Sequence, residues 1–375
     1  MAEPELYIGL MSGTSIDGID AALVGLDGHG YELRATHAHP LSEALRAAVA
    51  AISCAGDNEI ERLGPLDRAL GAEFGRAALQ LLEGAGVAPA AVRAIGSHGQ
   101  TIRHRPPSQG HDTAAAFTLQ IADPNTIAEV TGITTVADFR RRDMAAGGEG
   151  APLAPAFHQA AFATAGVRRA VVNIGGIANI SLLDGAALVA GFDCGPGNTL
   201  LDHWAQQHLG ERYDAGGAWA QGGAVATGLL DELLDHPFFA QAGPRSTGKE
   251  SFNLEWALAM LAGHPSLSAQ DVQATFLELT ARGIMLGLAE SAMVCEEIYV
   301  CGGGAHNAFM LQRLQQLLAP ATVATTEALG LAPDWVEAAT FAWLAQRTLQ
   351  GCAGNAPVVT GATGERVLGA IYPAR

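Results

Sequence analysis

The sequence predicts an α/β protein built from two similar domains. Its 375 residues are enough for two cores of ordinary size. Apolar runs of strand length alternate with stretches at helical spacing. One device also occurs twice: an apolar run, a small loop, a second apolar run and an Asp-Gly turn. The first copy spans Leu6 to Gly28 and the second runs from Ala170 to Gly185. This weak internal repeat places one domain at residues 1–165 and the other at 166–375. No Pro/Ser-rich linker marks the boundary near Gly166.

The elements follow in order. Leu6–Met11 and Ile19–Leu26 are apolar and flank SGTSIDG, a loop too long and too rich in hydroxyls to serve only as a turn. Leu66, Leu70, Phe74 and Leu81 recur near helical spacing, which predicts a helix over Leu66–Leu82. AIGSHGQT and FTLQIAD read as strands ending in polar loops, and Pro124 opens a helix. AVVNIGGIANISLLDG is strand, Gly-Gly turn, strand. Ser268 and Asp271 form a capping box for a helix to about Met293. EEIYVCGGGAHNAFMLQRLQQLL is strand, triple glycine, helix, and a last helix covers Trp335–Leu349.

Composition narrows the function. Hydrophobic residues at 49% and charged residues at 16% fit a folded, soluble chain. The 46 glycines have no collagen-like period, so they mark turns and ligand loops. A net charge of −17 argues against nucleic-acid and membrane partners, which require a basic footprint. It leaves a phosphorylated ligand open, because backbone N–H groups bind phosphate locally. The five cysteines form no C-x-x-C, so neither a disulfide framework nor a cysteine zinc site is expected. MAEPELYIG shows no signal-peptide pattern and no membrane span is expected, so the expected compartment is the cytoplasm.

Gly243–Lys249 reads G-P-R-S-T-G-K, one residue short of a P-loop. Glu250 stands where a magnesium-binding hydroxyl belongs, and the preceding HPFFAQA is a poor strand, so a solvated polar loop is the better reading. Ser12, Gly13, Thr14, Ser15, Ile16, Asp17 and Gly18 form a stronger phosphate candidate, dense in N–H and O–H donors. Asp17 or Asp20 could hold a hydrated magnesium ion, although the same loop also reads as a solvated turn. Gly302, Gly303 and Gly304 allow close approach of a ring or phosphate, or simply make a tight turn.

In GFDCGPGN, Asp193 ends a strand before a rigid Gly-Pro-Gly. That suits a general base better than a helix cap near Asn198. Glu337 lies in a first helical turn, where compensation of the helix dipole is the alternative role. Arg140–Arg142 is a basic turn that an anionic substrate group would also want. His98 and Gln100 are hydrogen-bonding candidates. No H-E-x-x-H or G-x-S-x-G is present, which disfavours metalloprotease and esterase chemistry.

GLMSGTSIDGIDAAL, SHGQTIRH, QIADPNTIAEVTGITTVADFRRRDMAAGGEGAPL, NIGGIANIS, GFDCGPGN, RSTGKESF, VCGGGAHN and VLGAIYPAR lie in order along essentially the whole chain. Together they resemble the 1,6-anhydro-N-acetylmuramic acid kinase family. Cys194 departs from the pattern, standing where the family often has Thr.

The resemblance implies the two-domain actin/sugar-kinase/heat-shock ATPase fold, a duplicated ribonuclease H-like architecture with a central cleft. It implies ATP and Mg2+, with the phosphates on Ser12–Ile19 and the hairpin of Asn173, Gly175 and Gly176 nearby. The nucleoside falls near Gly302–Gly304, and Asp193 becomes the catalytic base. His98, Gln100, Arg140, Asp143 and Glu337 become sugar-side candidates, and Asp17 and Asp20 metal candidates. RSTGKESF becomes a family motif and not a P-loop.

The implied reaction opens the 1,6-anhydro bridge and phosphorylates O6, giving N-acetylmuramate 6-phosphate and ADP in peptidoglycan recycling. The partners are then an amino sugar and ATP, with a homodimer one candidate state. The alternatives are an ordinary sugar kinase of the same fold and a non-catalytic, ATP-dependent sugar sensor.

Overall fold

A computed structural model describes residues 4–13, 16–27, 30–109, 114–241, 247–248, 251–291 and 293–374. Contacts divide the chain into two units, Met1–Ala161 with Trp335–Arg375, and Phe162–Asp334.

In the first unit the expected hairpin is β1 (Glu5–Ser12) and β2 (Gly18–Leu26), paired antiparallel. A third antiparallel strand, β3 (Tyr31–Pro40), follows on β2. The chain then forms the helix Glu59–Ala85 and returns as β4 (Val92–Arg105), parallel to β1. β5 (Phe117–Ile121) pairs antiparallel with β4, and β6 (Thr135–Ala137) pairs parallel with it. Ile8, Leu10, Ile19, Leu23, Leu70 and Phe74 are among the residues of the core under this sheet.

The second unit repeats the plan. β7 (Arg168–Ile174), β8 (Ile177–Asp184) and β9 (Ala187–Pro196) form an antiparallel meander. β10 (Glu297–Cys301) lies parallel to β7, and β11 (Thr322–Thr325) parallel to β10. Each unit thus orders its strands as third, second, first, then two parallel strands, which is the duplicated ribonuclease H-like plan. The helix Ala269–Glu290 covers the second sheet, capped at Ser268, whose Oγ accepts the Asp271 N–H at 3.1 Å. It ends near the expected Met293. The first long helix starts earlier than expected, at Glu59, and ends on Gly86 in the left-handed C-cap conformation.

The expected second domain of 166–375 needs correction, because Trp335–Arg375 belongs to the first unit. The reason is close packing. Backbone carbonyls of Ala338 and Phe341, on the helix Val336–Leu349, occupy the space that a Cβ would take at Gly9 of β1 and Gly96 of β4. Only glycine at both positions lets this helix lie so close to the sheet. β12 (Ala370–Tyr372) then pairs with β6 and completes the edge. No helix among the described residues is long and apolar enough to cross a membrane.

Candidate active site

The loop between β1 and β2 is held from β4. Ser12 Oγ lies 2.8 Å from both Gly18 O and Gln100 Oε1, so its single proton serves two acceptors. Gln100 Nε2 donates to Gly13 O at 3.1 Å. Both side chains are buried, so Ser12 and Gln100 fix the β1 end of this loop. Gln100, expected on the sugar side, spends its amide on the loop. Ile16 takes a positive φ of 60°, a conformation unusual for a branched residue. Ile19 is buried in β2, Asp17 is exposed, and Asp20 is half-buried opposite Met11. Thr14 and Ser15 lie outside the described residues.

Further along β4, His98 and Arg140 form a charge-assisted pair. Arg140 Nε and Nη2 donate to His98 Nε2 at 3.0 and 2.9 Å, and His98 Nδ1 lies 2.9 Å from Gly99 O. An imidazole that accepts on Nε2 and donates from Nδ1 is neutral. Burial, then the Arg140 charge, holds its pKa well below the usual histidine value. Burial also draws the Arg140 guanidinium down to about 10, against the opposing pull of Glu337 and Asp143. Arg140 Nη1 donates to Gly150 O at 2.8 Å. Glu337 lies in the first turn of its helix, and burial of its carboxyl raises its pKa against the lowering pull of Arg140. His98, Arg140 and Glu337 therefore gather in the first unit.

Asp143 lies close enough to Arg140 for its charge to act on the guanidinium, and its carboxylate is engaged by the protein itself. Its side chain is fully buried. Oδ2 accepts the Gly150 N–H at 2.9 Å, and Oδ1 accepts Asn355 Nδ2 and Thr360 Oγ1, each at 2.8 Å. It ties the loop after Arg140 to the C-terminal segment.

In the second unit three loops converge. The β7–β8 turn at Gly175 and Gly176 accepts N–H groups from the end of β9: Asn198 N on Gly175 O at 2.8 Å and Gly197 N on Gly176 O at 2.9 Å. Thr199 Oγ1 adds a bond to Gly176 O at 2.8 Å. The triple glycine joins them, since Gly302 has φ 75° and packs where any side chain would strike Asn173 Oδ1. Gly303 is exposed and Gly304 buried against Ile174, before a 3₁₀ turn leads into the helix Ala308–Leu317.

Asp193 is half-buried near the end of β9, in register with Asn179 of β8. Its Oδ2 accepts the Thr247 N–H at 2.8 Å. The partner belongs to RSTGKESF. Most of the P-loop-like stretch, including Lys249, lies outside the described residues, but Thr247 ties this motif to Asp193. The contact uses a backbone N–H, so side-chain reasoning could not find it. Cys194 points the opposite way, as strand alternation requires, and its Sγ donates to Ala178 O at 3.2 Å. A threonine hydroxyl could donate the same bond.

Comparison with known proteins supplies the frame for this geometry. Residues 5–374 match the family model described as anhydro-N-acetylmuramic acid kinase. A Pseudomonas putida protein named anhydro-N-acetylmuramic acid kinase is 53% identical over 98% of this chain and 99% of its own length. A protein of the same name from Pseudomonas paraeruginosa is 52% identical over 98% and 99%. One from Shewanella halifaxensis is 51% identical over 98% of each. A match that runs from β1 to β12 at this identity places the chain in the anhydro-N-acetylmuramic acid kinase family.

Proposed function

We propose that this protein is an ATP-dependent kinase that opens the bridge of 1,6-anhydro-N-acetylmuramic acid and phosphorylates O6. The observation that carries the reading is the family match over residues 5–374, which spans every motif of the candidate site.

An anhydro sugar has no proton on O6, because O6 bridges to C1. An ordinary hydroxyl deprotonation therefore cannot start the reaction. Asp193 takes a proton from water, and the water oxygen bonds to C1. The C1–O6 bond breaks as O6 bonds to the γ-phosphorus, and the bond from that phosphorus to the β,γ-bridging oxygen breaks to release ADP. The donors of the β1–β2 loop hold the phosphates, and Gly302–Gly304 take the nucleoside. Arg140 and Glu337 bind the sugar, with the guanidinium serving an anionic substituent and His98 holding Arg140 in place.

Asp17 and Asp20 supply hard oxygen ligands beside that loop, a donor set that suits Mg2+ shared with phosphates. When bound, the ion would offset phosphate charge. The reading is tested by supplying ATP and either the anhydro sugar or a free hexose. Conversion of the anhydro sugar to a 6-phosphate with matched ADP supports it. Phosphorylation of the hexose alone, or ADP without any sugar phosphate, would overturn it.

A further inference from the structure

RSTGKESF is a sequence motif that the phosphate and sugar assignments leave without a task. Its described residues do two things. Thr247 gives its N–H to Asp193 Oδ2 at 2.8 Å. Phe252 is fully buried. Gly248 O accepts the Ser251 and Phe252 N–H groups at 3.1 and 3.4 Å, so backbone bonds join the residue beside Thr247 to Phe252.

Phe252 is gripped by aromatic rings. Its centroid lies 4.8 Å from His236, 5.4 Å from Trp256, 5.4 Å from Phe238 and 5.8 Å from Phe239. The Phe238 and Trp256 contacts are edge-to-face, the arrangement ring quadrupoles favour. His236 is locked as well, because its Nδ1 accepts the Phe238 N–H at 3.2 Å. The same cluster touches the base's own strand: the Phe239 ring lies where a side chain at Gly195 would stand, two residues beyond Asp193. One aromatic block thus holds both the strand that carries Asp193 and Phe252, whose N–H is bonded to the residue next to Thr247.

We propose that Thr247 and Phe252 together position the base. The Thr247 amide sets the rotation of the Asp193 carboxylate, and Phe252 in its aromatic cage sets Thr247. The proposal rests on Asp193 being the base. Thr247 and Phe252 act through it and are positioning residues. A misaligned carboxylate slows the chemical step while leaving the ligands bound, because the proton must pass along a defined line to the water.

The test is kinetic, on the full chain with ATP and the anhydro sugar. Thr247→Pro removes the N–H, whereas Thr247→Ala keeps it. We expect kcat of Thr247→Pro to fall about 10²-fold, and at least about tenfold below that of Thr247→Ala, with sugar KM and nucleotide Kd within about threefold. Phe252→Ala would empty a fully buried site and endanger folding, so Phe252→Leu is the second variant, expected to lose about tenfold in kcat with the same unchanged KM.

Equal kcat in Thr247→Pro and Thr247→Ala, with Asp193→Asn inactive, overturns this inference alone. The same holds if Phe252→Leu, folded, turns over at the wild-type rate, or if either variant loses affinity in step with kcat, the mark of a merely structural role. Full turnover by Asp193→Asn would instead remove the base, and the inference with it.

Discussion

Asp193→Asn is the most informative single substitution, because the structure separates what it removes from what it keeps. The asparagine amide oxygen can still accept the Thr247 N–H that now reaches Asp193 Oδ2 at 2.8 Å. What weakens is the charge assistance of that bond, a matter of about 1 kcal/mol, so the fold should survive. What disappears is basicity, since an amide cannot take the proton from water. General-base catalysis contributes about 10² to 10⁴ in rate, which converts to about 2.7–5.4 kcal/mol of barrier. ADP release with the anhydro sugar should therefore fall by at least about 10²-fold. Nucleotide affinity and the thermal melt serve as controls and should stay close to wild type. A folded Asp193→Asn protein within about threefold of wild-type turnover would refute the assignment, because no such residue could be supplying the expected two decades.

Three further outcomes follow from the geometry. Gly302→Ala should weaken nucleotide binding, because the residue has φ 75° and its new methyl would strike Asn173 Oδ1; nucleotide titration showing unchanged affinity would argue against the nucleoside assignment. Asp143→Ala leaves Gly150 N, Asn355 Nδ2 and Thr360 Oγ1 without their acceptor, costing about 3 kcal/mol or more and lowering Tm by about 6–12 °C, which a thermal melt reads directly. Stability should also fall as the pH drops from about 6.5 toward 4, measured by denaturant melts across that range. Burial depresses His98 well below its usual value, His104 to about 4 and His158 to about 3, so these imidazoles stay neutral when folded and take up protons on unfolding; a flat profile would contradict their assigned environments.

The parts of the fold that were legible in the sequence have local causes. Alternating apolar runs closed by Asp-Gly turns announced both hairpins, and Ser268 with Asp271 announced a helix start that the structure reproduces. β3 escaped notice because its solvent-facing pattern, YELRATHAHP, carries few apolar residues. The return of Trp335–Arg375 to the first unit also left no local trace. It depends on Gly9 and Gly96 meeting carbonyls hundreds of residues away, and a lone glycine in a strand does not say what approaches it.

The candidate site divides in the same way. Asp193 and the triple glycine were readable because their neighbours constrain the backbone. The bonds of Asp143 to Asn355 and Thr360 were not readable, because these partners lie more than 200 residues along the chain. The Thr247 contact on Asp193 was invisible, since every residue except proline carries the N–H that makes it.

The central claim is that bridge opening and phosphoryl transfer are one coupled event, and oxygen-18 water tests it most directly. The reaction would be run with ATP and the anhydro sugar in labelled water, stopped early, and the product reduced rapidly to prevent exchange at C1. Water attacks carbon in this account, so the label should appear in the C1 hydroxyl, while the ester oxygen and the phosphoryl oxygens stay unlabelled. Label in inorganic phosphate matching the ADP formed, with no sugar phosphate, would contradict the account, because water would then have attacked phosphorus.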